Sequence, residues 1–145
     1  MAAMRNLAPL AAALIVAACS PAKTDLSVTD ATVVTSPNGA AGYFTVTGGR
    51  EADRLLEVEV PAMGPAMLHD SSMEGGVMRM RHVEFVDIPA GGTILFERGG
   101  KHVMIEAGRA PLAAGTTTPV RLTFERRGAV TVDAKVESLT GGPKL

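Results

Sequence analysis

The sequence predicts an all-β domain, a Greek-key sandwich or barrel of about eight short antiparallel strands. Three observations predict this class. Short apolar runs with the period-two alternation of a half-buried strand recur along the chain, as in Leu56, Val58 and Val60. Turns rich in Gly and Pro separate these runs, in a chain of 145 residues that contains 16 Gly and 9 Pro. No segment keeps the apolar spacing of an amphipathic helix for more than about two turns.

Eight segments have the composition of strands, and a turn follows most of them. In chain order the predicted strands are 26–34, 42–47, 54–60, 77–84, 93–97, 101–106, 119–125 and 129–136. The turns that punctuate them are Pro37-Asn38-Gly39, Gly48-Gly49, Gly75-Gly76, Pro89-Ala90-Gly91-Gly92, Gly99-Gly100 and Arg127-Gly128. Short strands at such intervals favour a sandwich or barrel, because consecutive strands can pair through tight connections.

Charge and aromatic content argue against nucleic acid as a partner. The chain carries 14 basic and 15 acidic side chains, so it has no long-range attraction for a polyanion. Aromatic residues make up 3% of the sequence, and Trp is absent, so bases would find no stacking platform. Methionine is the unusual component, because five of the 8 methionines lie between positions 63 and 80.

The first residues are typical of an export signal. Arg5 supplies a positive start, and an apolar run of 12 residues follows from Leu7 to Ala18. That run is too short to span a bilayer, which takes about 20 residues. The alternative is a buried N-terminal helix. We predict a signal peptide over 1–18, a tether over 19–25, a binding domain over 26–137 and a flexible tail over 138–145.

Cys19 is the only cysteine, so an internal disulfide is impossible. It follows Val16-Ala17-Ala18, which resembles a bacterial lipobox, where the cysteine is lipidated and becomes the first residue. Ser20 follows instead of Asp, and resemblance to the sorting rules then favours the outer membrane. The alternative is an incidental cysteine. We therefore predict a periplasmic protein that is attached to a membrane by its lipid anchor alone.

Two histidines and two methionines form a spaced pattern of candidate metal ligands. His69 is followed after ten residues by Met80, and after 21 more by His102, with Met104 two positions on. His102 and Met104 project from the same face of a strand. Thioether sulfur is soft and suits Cu(I), and imidazole suits copper in either oxidation state. A blue-copper electron carrier is disfavoured, because its site needs a thiolate and the domain has none.

This spacing resembles the signature of the PCu(A)C family of periplasmic copper chaperones, and the resemblance covers about residues 26–135. The flanking segments are also similar, among them Asn38 to Phe44, Leu68 to Arg81 and Ile88 to Gly92. The resemblance implies a cupredoxin-like Greek-key β-barrel with His69, Met80, His102 and Met104 as Cu(I) ligands. It also implies delivery of the metal to a copper-accepting protein, the cytochrome oxidase copper centre or its assembly factors. The Met- and His-rich tail of some members is missing here.

Other functions remain open on the sequence. A copper buffer or tolerance lipoprotein would need the same ligands and no dedicated acceptor, and a structural lipoprotein would need none of them. An enzyme is disfavoured, because the domain has no cysteine nucleophile and no recognisable Ser-His-Asp pattern. We expect a monomer. His82 is predicted to be a surface residue. Met63, Met67, Met73 and Met78 could line the site or fill the core, and packing is favoured for the last two.

Overall fold

The computed structural model describes residues 25–106 and 112–139, which form ten strands. The strands are β1 (Ser27–Ser36), β2 (Gly39–Thr47), β3 (Asp53–Val60), β4 (Gly64–Glu74), β5 (Val77–His82), β6 (Val86–Ile88), β7 (Thr93–Phe96), β8 (Lys101–Glu106), β9 (Thr117–Phe124) and β10 (Gly128–Ser138). No helix in these two ranges is long and apolar enough to cross a membrane. The predicted signal peptide, Cys19 and residues 140–145 lie outside the described residues.

Eight of the ten strands close into a barrel. Around the ring the order is β4, β8, β7, β2, β1, β10, β9 and β3, and pairing of β3 with β4 closes it. The first half of β2 pairs with β8 and its second half with β7, so these two strands share one neighbour. Pairing is antiparallel except between β1 and β10 and between β7 and β8. The predicted all-β barrel class is confirmed.

The core consists of aliphatic side chains from alternate strand positions. Leu55, Val58 and Val60 on β3 are fully buried. Val58 and Val60 are two residues apart, so they point to the same side of the strand, as alternation requires. Phe44 and Phe96 stack inside the barrel with their ring centroids 4.3 Å apart. Each such side chain contributes about 1.5–3 kcal/mol by leaving water. Few aromatics are needed, because the remaining volume is filled by Val, Leu and Ile.

Two strands, β4 and β6, were not predicted from the sequence. Residues 61–76 contain Pro65, two serines and adjacent Gly residues, and they lack a clean alternation of apolar and polar side chains. Here pairing decides the conformation, because β4 is bonded to β5 along one side and to β8 along the other. β6 is three residues long and pairs with the start of β3. Tertiary context therefore overrides local preference in both segments.

A glycine allows β2 and β8 to approach closely. Gly42 lies opposite Val103 in the antiparallel ladder. A Cβ at Gly42 would overlap the Val103 side chain, which is fully buried. The close packing fixes Val103 towards the core, and alternation along β8 then directs its neighbours His102 and Met104 to the outside of the barrel.

Candidate metal centre

Three neighbouring strands, β5, β4 and β8, bring histidines and methionines together on one face. Directly opposite residues in antiparallel strands point to the same side of the sheet, and alternate residues along a strand do so too. The register pairs Met67 with Met104, His69 with both His102 and His82, Ser71 with Met80, and Met73 with Met78. We call this surface the His/Met face; it consists of Met67, His69, Ser71, Met73, Met78, Met80, His82, His102 and Met104.

The two predicted histidine ligands lie side by side on this face. His69 and His102 have ring centroids 5.6 Å apart, with the ring planes at 67°. His102 is only 7% exposed, and its Nδ1 lies 3.0 Å from the carbonyl oxygen of Gly100. When Nδ1–H donates to that oxygen, the ring orientation is fixed and Nε2 remains available to a metal.

His69 contains a buried nitrogen that has no partner. Its Nδ1 is shielded from solvent and makes no hydrogen bond within the described part of the chain. A buried polar atom left unpaired costs about 1–3 kcal/mol, so such an atom is rare in a folded protein. A metal ion coordinated by this nitrogen would satisfy it, which fits the chemistry expected of the donor set.

Burial and neighbouring charge both favour the neutral form of His69, which is the form that binds a metal. Burial of the ring lowers the pKa of His69 below 6.5, and the positive forms of His102 and His82 lower that pKa further. None of the nine residues of the His/Met face is a carboxylate, so its donors are neutral nitrogen and sulfur. The charged residues of β4 and β5 project from the reverse face, where Arg81 pairs with Glu74 at 2.6 Å.

Met104 and Met67 form the next pair on the face, one step along from the two histidines. They are directly opposite each other on β8 and β4, and each is 37% exposed. On its other side Met104 pairs with Ala41 of β2, whose small side chain leaves it uncovered. Met104 also lines a hollow of about 230 Å³ that includes Tyr43 and Arg98. Its thioether can therefore be reached from outside the barrel.

Met80 lies on the opposite side of His69 from Met104. It pairs with Ser71, two residues beyond His69 on β4, and is 53% exposed. The register therefore places His102 directly opposite His69, and it leaves Met104 and Met80 diagonal to His69 on opposite sides. Diagonal positions are about 7–8 Å apart, within reach of a long side chain. The unbranched side chain of Met80 has the flexibility to bring its sulfur to His69.

The remaining methionines and His82 divide differently from the sequence expectation. Met63 is buried and belongs to the core, whereas Met67 faces the predicted ligands. Met73 and Met78 are 63% and 55% exposed, so the predicted packing role for them is wrong. His82 is exposed as predicted, but it lies directly opposite His69. The sequence would have predicted that His82 lies opposite His69 only if residues 64–74 had been assigned as a strand, because the pairing of β4 with β5 fixes the register.

The described residues contain no group of three or more His, Cys, Asp or Glu side chains that already converges on a metal position. A larger hollow, of about 470 Å³, lies away from the His/Met face where β3 begins and β9 turns into β10. Asp53 is one of its lining residues, and its carboxylate accepts backbone N–H bonds from Arg54, Arg126 and Arg127 at 2.7–2.9 Å. These hydrogen bonds give Asp53 a structural role in the turn between β9 and β10.

Comparison with known proteins gives one family match and several similar structures. Residues 26–136 match a family model described as "Putative lipoprotein LpqE-like". The copper-bound PCuAC domain from PmoF2 superposes with a TM-score of 0.66 at 21% identity, covering 81% of this chain and 96% of that domain. The Cu(I) form of DR1885 from Deinococcus radiodurans gives a TM-score of 0.61 at 29% identity, over 86% of this chain and 85% of that one. No curated protein matches the chain.

Proposed function

The chain belongs to the LpqE-like family, and from this premise we propose that it is an extracytoplasmic copper(I) chaperone. It binds one Cu(I) through His69, Met80, His102 and Met104 and releases the ion to an acceptor protein. The observation that carries the proposal is the pair of adjacent imidazoles on the outside of the barrel, where the Nδ1 of His69 is buried and unpartnered. Structures similar in fold include the copper-bound PCuAC domain from PmoF2 and the Cu(I) form of DR1885.

The donor set supports Cu(I) as the cargo. Two thioethers and two imidazoles are soft to intermediate donors, which favour the monovalent ion over Zn²⁺. Neither donor type is lost to disulfide formation, so the site suits an oxidising compartment better than a thiolate site would. No step in this proposal requires the protein to catalyse a reaction, and we assign it none.

The test is a metal titration of the protein under reducing conditions in the Cys19→Ser background, which removes the one thiol. We expect the protein to bind one Cu(I) per chain and to compete for it with a Cu(I)-specific chelator. Added Zn²⁺ should not weaken the protein in this competition. Binding of zinc in preference to Cu(I), or no copper at all, would contradict the proposal. Met63→Leu is the matched control, because it removes a core methionine and leaves the His/Met face unchanged.

The proposal also includes delivery of the bound copper to an acceptor protein. The exposed thioethers of Met104 and Met80 support it, because an acceptor can reach them without unfolding the barrel. The acceptor we propose is the copper centre of a respiratory oxidase or its assembly factors. The second candidate is a buffer without a dedicated acceptor. Deleting the gene separates the two: loss of oxidase copper content supports delivery, and unchanged content with lower copper tolerance supports buffering.

Attachment to a membrane through Cys19 completes the proposal, and the family description of a lipoprotein supports it. Cys19 lies six residues before the first described residue, Asp25, so the tether can reach at most about 20 Å when extended. We expect the wild-type protein in the membrane fraction and Cys19→Ser in the soluble periplasmic fraction. Wild-type protein that is already soluble in the periplasm would contradict lipidation.

A further inference from the structure

His82 is a histidine that the predicted ligand set does not use. It is the last residue of β5, directly opposite His69, and His69 is in turn directly opposite His102. Three imidazoles therefore form one row across three neighbouring strands. Within the described residues His82 makes no hydrogen bond or ion pair to another side chain, and its ring lies edge-on to that of His69.

The spacing of the His69 ring to each of its two neighbours suits a shared metal ion, provided that the His82 ring turns towards the other two. Two imidazoles that bind one metal have ring centroids about 5–6.5 Å apart, because each ring nitrogen lies about 2.0–2.1 Å from the ion. His69 is 5.8 Å from His82 and 5.6 Å from His102, measured between centroids. The ring planes cross at 83° and 67°, so neither ring of the two pairs is stacked on the other.

The backbone holds His82 in this row although its side chain is exposed. The register continues from Glu74 opposite Val77 to His69 opposite His82, and the next residue, Val83, donates its N–H to the Leu68 carbonyl at 2.9 Å. The Cβ of His82 therefore stays about 4.5–5.5 Å from that of His69. Only rotation about the side-chain bonds of His82 is needed to turn its ring towards the other two.

We propose that His82 is a third imidazole ligand, and that His69, His82 and His102 together hold Cu(II) on the His/Met face. Cu(II) prefers nitrogen donors in a tetragonal arrangement, whereas the thioethers of Met80 and Met104 favour Cu(I). The same face thus offers a nitrogen-rich set for one oxidation state and a sulfur-containing set for the other, with His69 and His102 common to both. This inference rests on the proposed copper function and adds the divalent ion to it.

The experiment compares Cu(II) and Cu(I) binding in the Cys19→Ser protein, with and without His82→Ala. Val77→Ala is the matched control, because Val77 lies on the same strand, is exposed, carries no metal-binding atom and projects from the face opposite the histidine row. Electron paramagnetic resonance of the Cu(II) form should show three imidazole nitrogens in the parent protein and two in His82→Ala. Cu(II) affinity should fall at least about tenfold in His82→Ala, while Cu(I) affinity should change less than about threefold.

The outcomes separate this inference from the proposed function. Three nitrogens that fall to two, with Cu(I) binding retained, support the role of His82. Equal Cu(II) spectra and affinities in the parent protein and His82→Ala overturn it, even where Cu(I) binds normally, and the chaperone proposal then stands alone. Absence of Cu(I) and Cu(II) binding in the parent protein overturns both. A Val77→Ala protein that loses a nitrogen signal would show that distortion of the β4–β5 hairpin is being measured, and would likewise overturn the assignment.

Discussion

Replacing His69 or His102 by alanine is expected to weaken Cu(I) binding at least about 100-fold, more than the loss of any single methionine of the site. Loss of an outer-shell partner of a metal ligand already costs about 10–100-fold in affinity, and here a ligand itself is removed. Imidazole is the stronger donor, and β8 contains no second histidine. Competition titration with a Cu(I) chelator measures the loss directly.

The methionine variants should lose less, because the register provides a substitute for each. Met67 lies directly opposite Met104, and Met78 lies two positions before Met80 on the same face. We expect Met104→Ala and Met80→Ala each to weaken Cu(I) binding about tenfold or less. The double variants Met67→Ala/Met104→Ala and Met78→Ala/Met80→Ala should lose clearly more than the single variants. Equal losses in the single and double variants would contradict substitution.

The histidine variants need a control for folding, since His102 is buried and hydrogen-bonded to Gly100. His102→Gln keeps a polar side chain of similar length and should retain the fold while losing copper. A thermal unfolding curve measured without metal separates the two effects. If His69→Ala and His102→Gln both kept wild-type Cu(I) affinity, these residues would not be ligands.

Strands with regular alternation could be predicted from the sequence, whereas the strand that carries His69 could not. The predicted segment 101–106 coincides with β8, and 54–60 differs from β3 by one residue. β4 was missed because its sequence contains Gly64, Pro65 and a polar run, and its pairing with β5 and β8 makes it a strand. Non-local pairing of this kind leaves no local pattern.

The ligand pattern was visible in the sequence, but its arrangement was not. The resemblance to the PCu(A)C signature predicts His69, Met80, His102 and Met104 as ligands; the family match and the similar PCuAC structures confirm the resemblance, and the ligand set stays a prediction. Spacing could not show that Met80 lies on the far side of His69 from Met104, nor that His82 lies opposite His69. Both facts depend on register, where a shift of one residue turns every side chain to the other face.

Copper affinity is expected to depend steeply on pH below about 6.5 and to be nearly flat above it, since a protonated imidazole cannot bind a metal. The thioethers of Met80 and Met104 do not titrate, so histidines alone set this dependence. Well below the histidine pKa values, each ligand histidine contributes about a tenfold loss per pH unit, or about 100-fold for two. His69→Ala or His102→Gln should halve the slope of log affinity against pH.

The direction in which the pKa of His69 is shifted determines the pH at which the loss of copper affinity begins. Burial, followed by the charges of His102 and His82, lowers the pKa of His69 below 6.5, so its ring stays neutral to a lower pH than a free imidazole. The lowered pKa therefore extends copper binding towards acid, and it also means that the metal-free fold loses stability as pH falls from 6.5 through the pKa of folded His69. Cu(I) affinity measured from pH 8 to 5 tests the first statement. Unfolding curves of the metal-free protein over the same pH range test the second. Affinity that stayed flat down to about pH 5, where free imidazole is protonated, would mean that copper is held by groups other than these histidines.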